Sequence, residues 1–168
     1  MSEPVLIAQI SDLHIKRPGE LAYGKVDTAA ALHRCVAHLN KFRPRPSIVV
    51  ISGDLVDMPH PDEYTHLLEL LAPLEIPFVA VPGNHDSRAM LRSALPHQPY
   101  AHASGATDLM VTVGGVDLIL LDSSLPGKPQ GVLEEATLSW LDVTLAGSPD
   151  RCCCRRPCCD RTAGQSQS

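Results

Sequence analysis

The chain has 168 residues, is 44% hydrophobic and 20% charged, and carries a net charge of −5, the make-up of one ordinary globular domain. This balance gives no basis for electrostatic capture of nucleic acid or an anionic membrane. No apolar run approaches the ~20 residues of a membrane span. Residues 151–168 hold four Arg against one Asp, or +3, which leaves −8 on the first 150. An acidic body repels a phosphate substrate unless bound cations reverse the local field.

Residues 1–4 are too few for the charged region of a signal peptide, and residues 5–10 too few for its apolar region. Only Cys35 lies within the first 150 residues, which suits a reducing compartment, so a cytoplasmic protein is expected.

Residues 5–10 form a short apolar run, as in a strand covered on both faces. Asp27 can cap a helix that carries Ala29, Leu32, Val36 and Leu39 along one side and stops before Pro44 and Pro46. Residues 48–51 read as a second buried strand, ended by Ser52-Gly53-Asp54. Asp62 is placed to cap the next helix, with Leu67, Leu68, Leu70 and Leu71 facing inward before Pro73. Residues 77–81 give a third strand, ended by Pro82-Gly83-Asn84. Strand and helix alternating at this spacing predict parallel βαβ units, hence an α/β fold. Residues 109–113 and 116–121 then flank Gly114-Gly115, a tight hairpin signal. Asp122-Ser123-Ser124 follows. Residues 134–146 read as a helix with Leu138, Leu141 and Leu145 apolar and Gly147 as its stop.

Three turns carry the chemistry: Asp12-Leu13-His14, Gly53-Asp54 and Gly83-Asn84-His85-Asp86. If extended geometry continues past the first strand, Asp12 and His14 project to one side and can share a metal. Asp54 offers two carboxylate oxygens and can bridge two ions, and Asn84 offers a neutral carbonyl oxygen. Carboxylate, imidazole and amide together suit Mn, Fe, Co or Zn. Gly53 and Gly83 let the backbone turn sharply. All three turns follow parallel strands, at the edge where open α/β sheets place ligands. Asp-x-His or Gly-Asp alone also occurs in solvated turns and helix caps. The three in order, each behind an apolar strand, point to a metal site.

In sequence and order these blocks resemble the first three signature blocks of the calcineurin-like metallophosphoesterases. Ile10-Ser11-Asp12-Leu13-His14, Gly19-Glu20-Leu21-Ala22-Tyr23-Gly24 with Asp27, Asp122-Ser123-Ser124, and Gly131 through Trp140-Leu141 are similar to one branch. That branch holds class III cyclic-nucleotide phosphodiesterases and bacterial glycerophosphodiesterases. The resemblance covers residues 5–146 and implies the amino-terminal part of a layered αββα sandwich. It also implies two divalent metal ions, Asp12 and His14 on the first, Asp54 bridging, Asn84 on the second, and His85 as the catalytic group beside the phosphate. The implied activity is hydrolysis of a small phosphodiester, of the cyclic-nucleotide or glycerophosphodiester class. A hydroxide between cations ~3.5–4 Å apart would attack the phosphorus in line. A phosphomonoesterase or nuclease of the same superfamily is the alternative.

The family's later His-His-Pro-Pro-like and Gly-His-x-His turns have no counterpart in this sequence. Residues 1–150 therefore read as an incomplete metallophosphoesterase domain, and a catalytically inactive fragment is a further alternative. His33 and His38 lie on a predicted helix without sharing a face, and His60, His66, His97 and His102 are poor substitutes for the missing ligands. Unpaired sheet edges leave room for a homo-oligomer. Residues 151–168 contain no Leu, Ile, Val, Phe, Tyr or Trp, so a disordered Cys/Arg-rich tail is expected. A reading-frame slip after residue 150 explains the break where a strand is due, and a genuine alternative C-terminus is its rival. Adjacent cysteines at 152–154 and 158–159 are poorly spaced for one tetrahedral zinc site.

Overall fold

A computed structural model describes residues 4–147 apart from Ala101, Ala103 and Pro126. The expectations for residues 151–168, disorder or a cysteine module, lie outside the described residues. The elements are β1 (Ile7–Ile10), α1 (Thr28–Lys41), β2 (Ile48–Ser52), α2 (Pro61–Leu71), β3 (Phe78–Val81), α3 (Arg88–Ala94), β4 (Leu109–Val113), β5 (Val116–Leu120) and α4 (Glu135–Gly147).

The first three strands pair in parallel in the order β1-β2-β3, with Ile7 opposite Ile48 and Val49 opposite Phe78. A sheet that grows one way through right-handed crossovers puts its connecting helices on one face. The side-chain alternation of the strands agrees. Val49, Ile51 and Ala80 point into a core with Leu32, Val36 and Leu39 of α1, Tyr64, Leu67 and Leu71 of α2, and Leu91 of α3. Ile48, Val79 and Val81 point the other way, onto Leu109 and Leu120 of the hairpin. Each such aliphatic side chain, fully buried, contributes about 1.5–3 kcal/mol. The α/β expectation holds, with layers of helices, parallel sheet and an antiparallel hairpin joined at Gly114-Gly115. Among the described residues no helix is long and apolar enough to cross a membrane.

Several local expectations needed correction. Asp27 caps α1 as expected, accepting from the Ala30 N–H at 2.8 Å. The cap of α2 is His60, which accepts from the Asp62 N–H at 3.2 Å, not Asp62 itself. Pro61 explains the shift, because proline lacks an N–H and fits the first helical position. The short helix α3, capped by Ser87, is additional to the predicted elements. Strand β1 lies at the sheet edge with Gln9 exposed, so it is not covered on both faces. Of α4 only Thr137 is buried, and Leu138 and Leu145 stay exposed. A polar anchor holds that helix: Thr137 donates to the buried Asp108 at 2.7 Å.

Candidate metal centre

All three chemically loaded turns lie at the carboxyl ends of β1, β2 and β3, and backbone pairing continues past the strands. The N–H groups of Asp12, His14 and Ile15 donate to the carbonyls of Gly53, Asp54 and Leu55 at 3.1, 2.9 and 3.1 Å. Ile15, Leu55 and Val56 are fully buried and anchor these loops in the core. The His14 carbonyl accepts from Thr28 Oγ1 at the start of α1, so its backbone is held at both ends.

The conformation there is not extended. Asp12, His14 and Asp54 adopt φ of 56°, 42° and 49°, in the left-handed region that side chains usually avoid. The alternation expected to put Asp12 and His14 on one side therefore stops at Ser11. Residues held in such conformations each cost about 1–3 kcal/mol and cluster at functional sites. Gly83 has a different reason for being glycine: a Cβ there would collide with the Asp54 carboxylate and backbone nitrogen. The second and third turns thus touch with no side chain between them.

This packing brings His14, Asp54 and His85 together, with one potential ligand atom from each within 4.8 Å of the others. His14 Nε2 stands 3.8 Å from Asp54 Oδ2, and the two imidazoles meet edge to face at 4.7 Å between centroids. The His85 backbone N–H donates to Asp54 Oδ1 at 3.0 Å, and its ring Nδ1 lies 2.8 Å from the Asp57 carbonyl. A carbonyl only accepts, so Nδ1 carries the proton and Nε2 keeps a free lone pair. The buried His14 Nδ1 has no hydrogen-bond partner and lies 3.6 Å from Asp57 Oδ1. In either neutral tautomer His14 keeps one nitrogen lone pair facing a carboxylate, and a divalent cation is a group that such lone pairs can share. The donor set fits a metal.

Asp12 lies outside this group of three, exposed, its carboxylate accepting from Ser11 Oγ at 2.5 Å. Asn84 is exposed and lines a cavity of about 630 Å³ together with His85, Asp57, Arg88 and Lys128. Three other histidines are engaged elsewhere: His60 in its cap, His66 on the Lys16 carbonyl, and His102 on Asp108.

Two supporting carboxylates escaped the sequence reading. Asp57 ion-pairs with Lys16 at 2.5 Å, and this bond raises the lysine pKa. Asp86 accepts from the N–H groups of Gly83, Leu55 and Val56 at 2.8, 3.1 and 3.3 Å and from the Tyr64 hydroxyl at 3.2 Å. Burial pushes its carboxyl above the ordinary range, against the opposing pull of those N–H bonds. It clamps the second turn to the third. Its place at the end of Gly83-Asn84-His85-Asp86 was the available signal.

The calcineurin-like phosphoesterase family profile matches residues 5–143. The chain belongs to this metal-dependent family. It is 36% identical over 147 residues to a probable glycerophosphodiester phosphodiesterase, GpdQ, of Arcobacter nitrofigilis, covering 88% of this chain and 54% of that protein. A cAMP/cGMP dual specificity phosphodiesterase of Mycobacterium tuberculosis is 34% identical over 145 residues, covering 84% and 45%. The 3',5'-cyclic adenosine monophosphate phosphodiesterase CpdA of Pseudomonas aeruginosa is 32% identical over 147 residues, covering 88% and 52%. The chain spans about half the length of these curated relatives. Both subgroups of the branch read from the sequence are represented among them.

Proposed function

We propose that this calcineurin-like chain acts as a metal-dependent phosphodiesterase on small phosphodiesters, of the glycerophosphodiester or cyclic-nucleotide class named for its relatives. The observation that carries the reading is the convergence of His14, Asp54 and His85 beside an open cavity at the strand ends. His14 and Asp54 would hold metal, with Asp12 and Asn84 completing the set from the neighbouring loop positions. Divalent ions, when bound, supply Lewis-acid polarisation and neutralise charge on a phosphoryl group. Their identity, among Mn, Fe, Co and Zn, and their number, two in this reading, belong to the same proposal.

The chain's own groups account for the rest. Asp54 divides its oxygens: Oδ2 lies 3.8 Å from His14 Nε2, and Oδ1 accepts the His85 backbone N–H, which holds the turn that carries the His85 ring. His85 is locked by that bond and by Nδ1 on the Asp57 carbonyl. Its Nε2 therefore faces substrate without having to reorient, and can accept or return a proton there. The Lys16–Asp57 pair keeps that carbonyl in place. A cytoplasmic setting fits the lone Cys35 of the body.

Titration calorimetry with Mn²⁺ or Zn²⁺, combined with turnover of bis(p-nitrophenyl) phosphate, tests the proposal. Three converged donors make an open site, so weak metal binding and slow turnover are expected, both lost in Asp54→Ala. Metal binding of undiminished affinity in Asp54→Ala and His14→Ala would refute the site.

A further inference from the structure

The charge inside the cavity next to His85 is almost entirely settled by internal pairing. The carboxylate of Asp57 is committed to Lys16, and that of Asp86 to three backbone N–H groups and Tyr64. Arg88 is committed on all sides. Its Nε lies 2.7 Å from Asp122 Oδ2, one terminal nitrogen lies 3.3 Å from Glu134 Oε1, and the other donates to the Ser124 carbonyl at 2.6 Å. Lys128 also lines this cavity, and among the described residues its ammonium makes no ion pair or hydrogen bond. Of the charged groups on the cavity wall, it is the one still available to a ligand.

A lone surface lysine is ordinarily just solvated. This one lines the same cavity as His85 and follows a segment tied to that wall. Its N–H donates to the Leu125 carbonyl at 3.1 Å, and Gly127 supplies the positive φ of 71° that the turn needs. Ser124, just before the turn, bonds the buried Asp122 through both its N–H and its hydroxyl, at 2.9 and 2.6 Å. Arg88 grips the same Ser124 and Asp122, and Arg88 opens α3 three residues after His85. The turn bearing Lys128 and the turn bearing Asn84 and His85 are thus bracketed together by one arginine. With the scissile phosphoryl at the His14, Asp54 and His85 cluster, an ester arm entering the cavity shares it with Lys128.

We propose that Lys128 is a specificity-determining residue that reads the charge of that ester arm, favouring an anionic arm and disfavouring a cationic one such as a choline or ethanolamine group. The inference rests on the phosphodiesterase reading above and adds the chemical class of the arm.

An isosteric series tests it on the full chain: p-nitrophenyl phosphodiesters whose second aryl group carries a 4-carboxylate, no charge, or a 4-trimethylammonium. The matching phosphinates, in which methylene groups replace both ester oxygens, have no P–O ester bond to cleave and report binding by calorimetry without turnover. The anionic arm is expected to be preferred over the cationic arm by about fivefold at low salt, an exposed charge contact counted with opposite signs. The preference should shrink as ionic strength rises. Lys128→Met should bring the ratio close to one, and Lys128→Arg should keep it. An equal or reversed preference in the wild type, or an unchanged ratio in Lys128→Met, overturns the proposal. No metal-dependent turnover of the uncharged diester would instead remove the phosphodiesterase reading, and the phosphinate binding ratios would still decide the role of Lys128.

Discussion

Asp86→Ala is the sharpest test of how the candidate site is held together. The carboxylate receives three backbone N–H groups and one hydroxyl. Two of those N–H groups belong to Leu55 and Val56, both 0% exposed, so they cannot turn to water when the acceptor is removed. Orphaning a buried donor costs about 1–3 kcal/mol. Three N–H donors and the Tyr64 hydroxyl therefore give a gross loss of about 4–12 kcal/mol. The variant also recovers the desolvation that pushes the Asp86 carboxyl above its ordinary pKa. Set against the gross cost of the orphaned donors, that recovery leaves a net loss of about 3–5 kcal/mol. That is a large share of the 5–15 kcal/mol typical of a domain, and corresponds to a Tm lower by roughly 10 °C. Urea unfolding followed by far-UV circular dichroism measures it. Asp86→Asn keeps the shape and one oxygen, so it should lose about half as much. A loss below about 1 kcal/mol in Asp86→Ala would refute the clamp and the accounting behind it.

Other perturbations address neighbouring parts of the structure. Gly83→Ala forces a Cβ against Asp54 and should cost about 2–4 kcal/mol, read from the urea midpoint, with metal binding weakened as well. Burial alone would raise the Asp122 pKa, but hydrogen bonds from Ser124 and Thr107 hold it below the ordinary carboxylate range. A depressed pKa stabilises the fold above the unfolded value of ~3.9 and loses that contribution as pH falls through the folded value. Asp122→Asn should accordingly flatten the acid limb of the stability profile, measured by urea melts between pH 7 and pH 2. Asp27→Ala removes the cap of α1 and should cost about 1 kcal/mol in the same urea assay. A divalent ion at a hundred times its Kd should stabilise the wild type by about 2.7 kcal/mol and leave His14→Ala near its metal-free Tm in a thermal melt.

The parallel sheet, its two main crossover helices and the hairpin were readable because each is dictated by a local pattern. Apolar runs of four to six residues, a capping Asp27 and Gly114-Gly115 are signals that no distant contact needs to complete. The details that differed depend on geometry or on distant partners. Pro61 and Asp62 compete for the start of α2, and the absence of an N–H on proline moves the cap to His60. Helix α3 is seven residues long, too short for a periodic signature, and buries only Leu91. For α4 the leucines suggested a hydrophobic dock, whereas the buried contact is Thr137 on Asp108, a residue 29 positions earlier. A polar bond between distant residues leaves no period in the sequence.

The candidate residues stood out in the sequence by type, whereas their backbone conformation did not. Asp12, His14 and Asp54 were singled out for their ligand atoms, and they are three of the four non-glycine residues described with positive φ. The fourth, Tyr23, lies on an exposed loop. A strained backbone persists only where its surroundings over-determine it, and here they are identifiable. Paired N–H groups run alongside residues 53–55, Thr28 holds the His14 carbonyl, and Asp86 ties Leu55 and Val56 to Gly83. Backbone N–H groups and the Thr28 hydroxyl do not resemble metal ligands, and Asp86 does so only by residue type, its carboxylate being spent on the N–H groups of Gly83, Leu55 and Val56. The strain at Asp12, His14 and Asp54 and the clamp that maintains it are two sides of one arrangement. Relaxing the clamp should therefore loosen His14 and Asp54 before it unfolds the sheet that carries them.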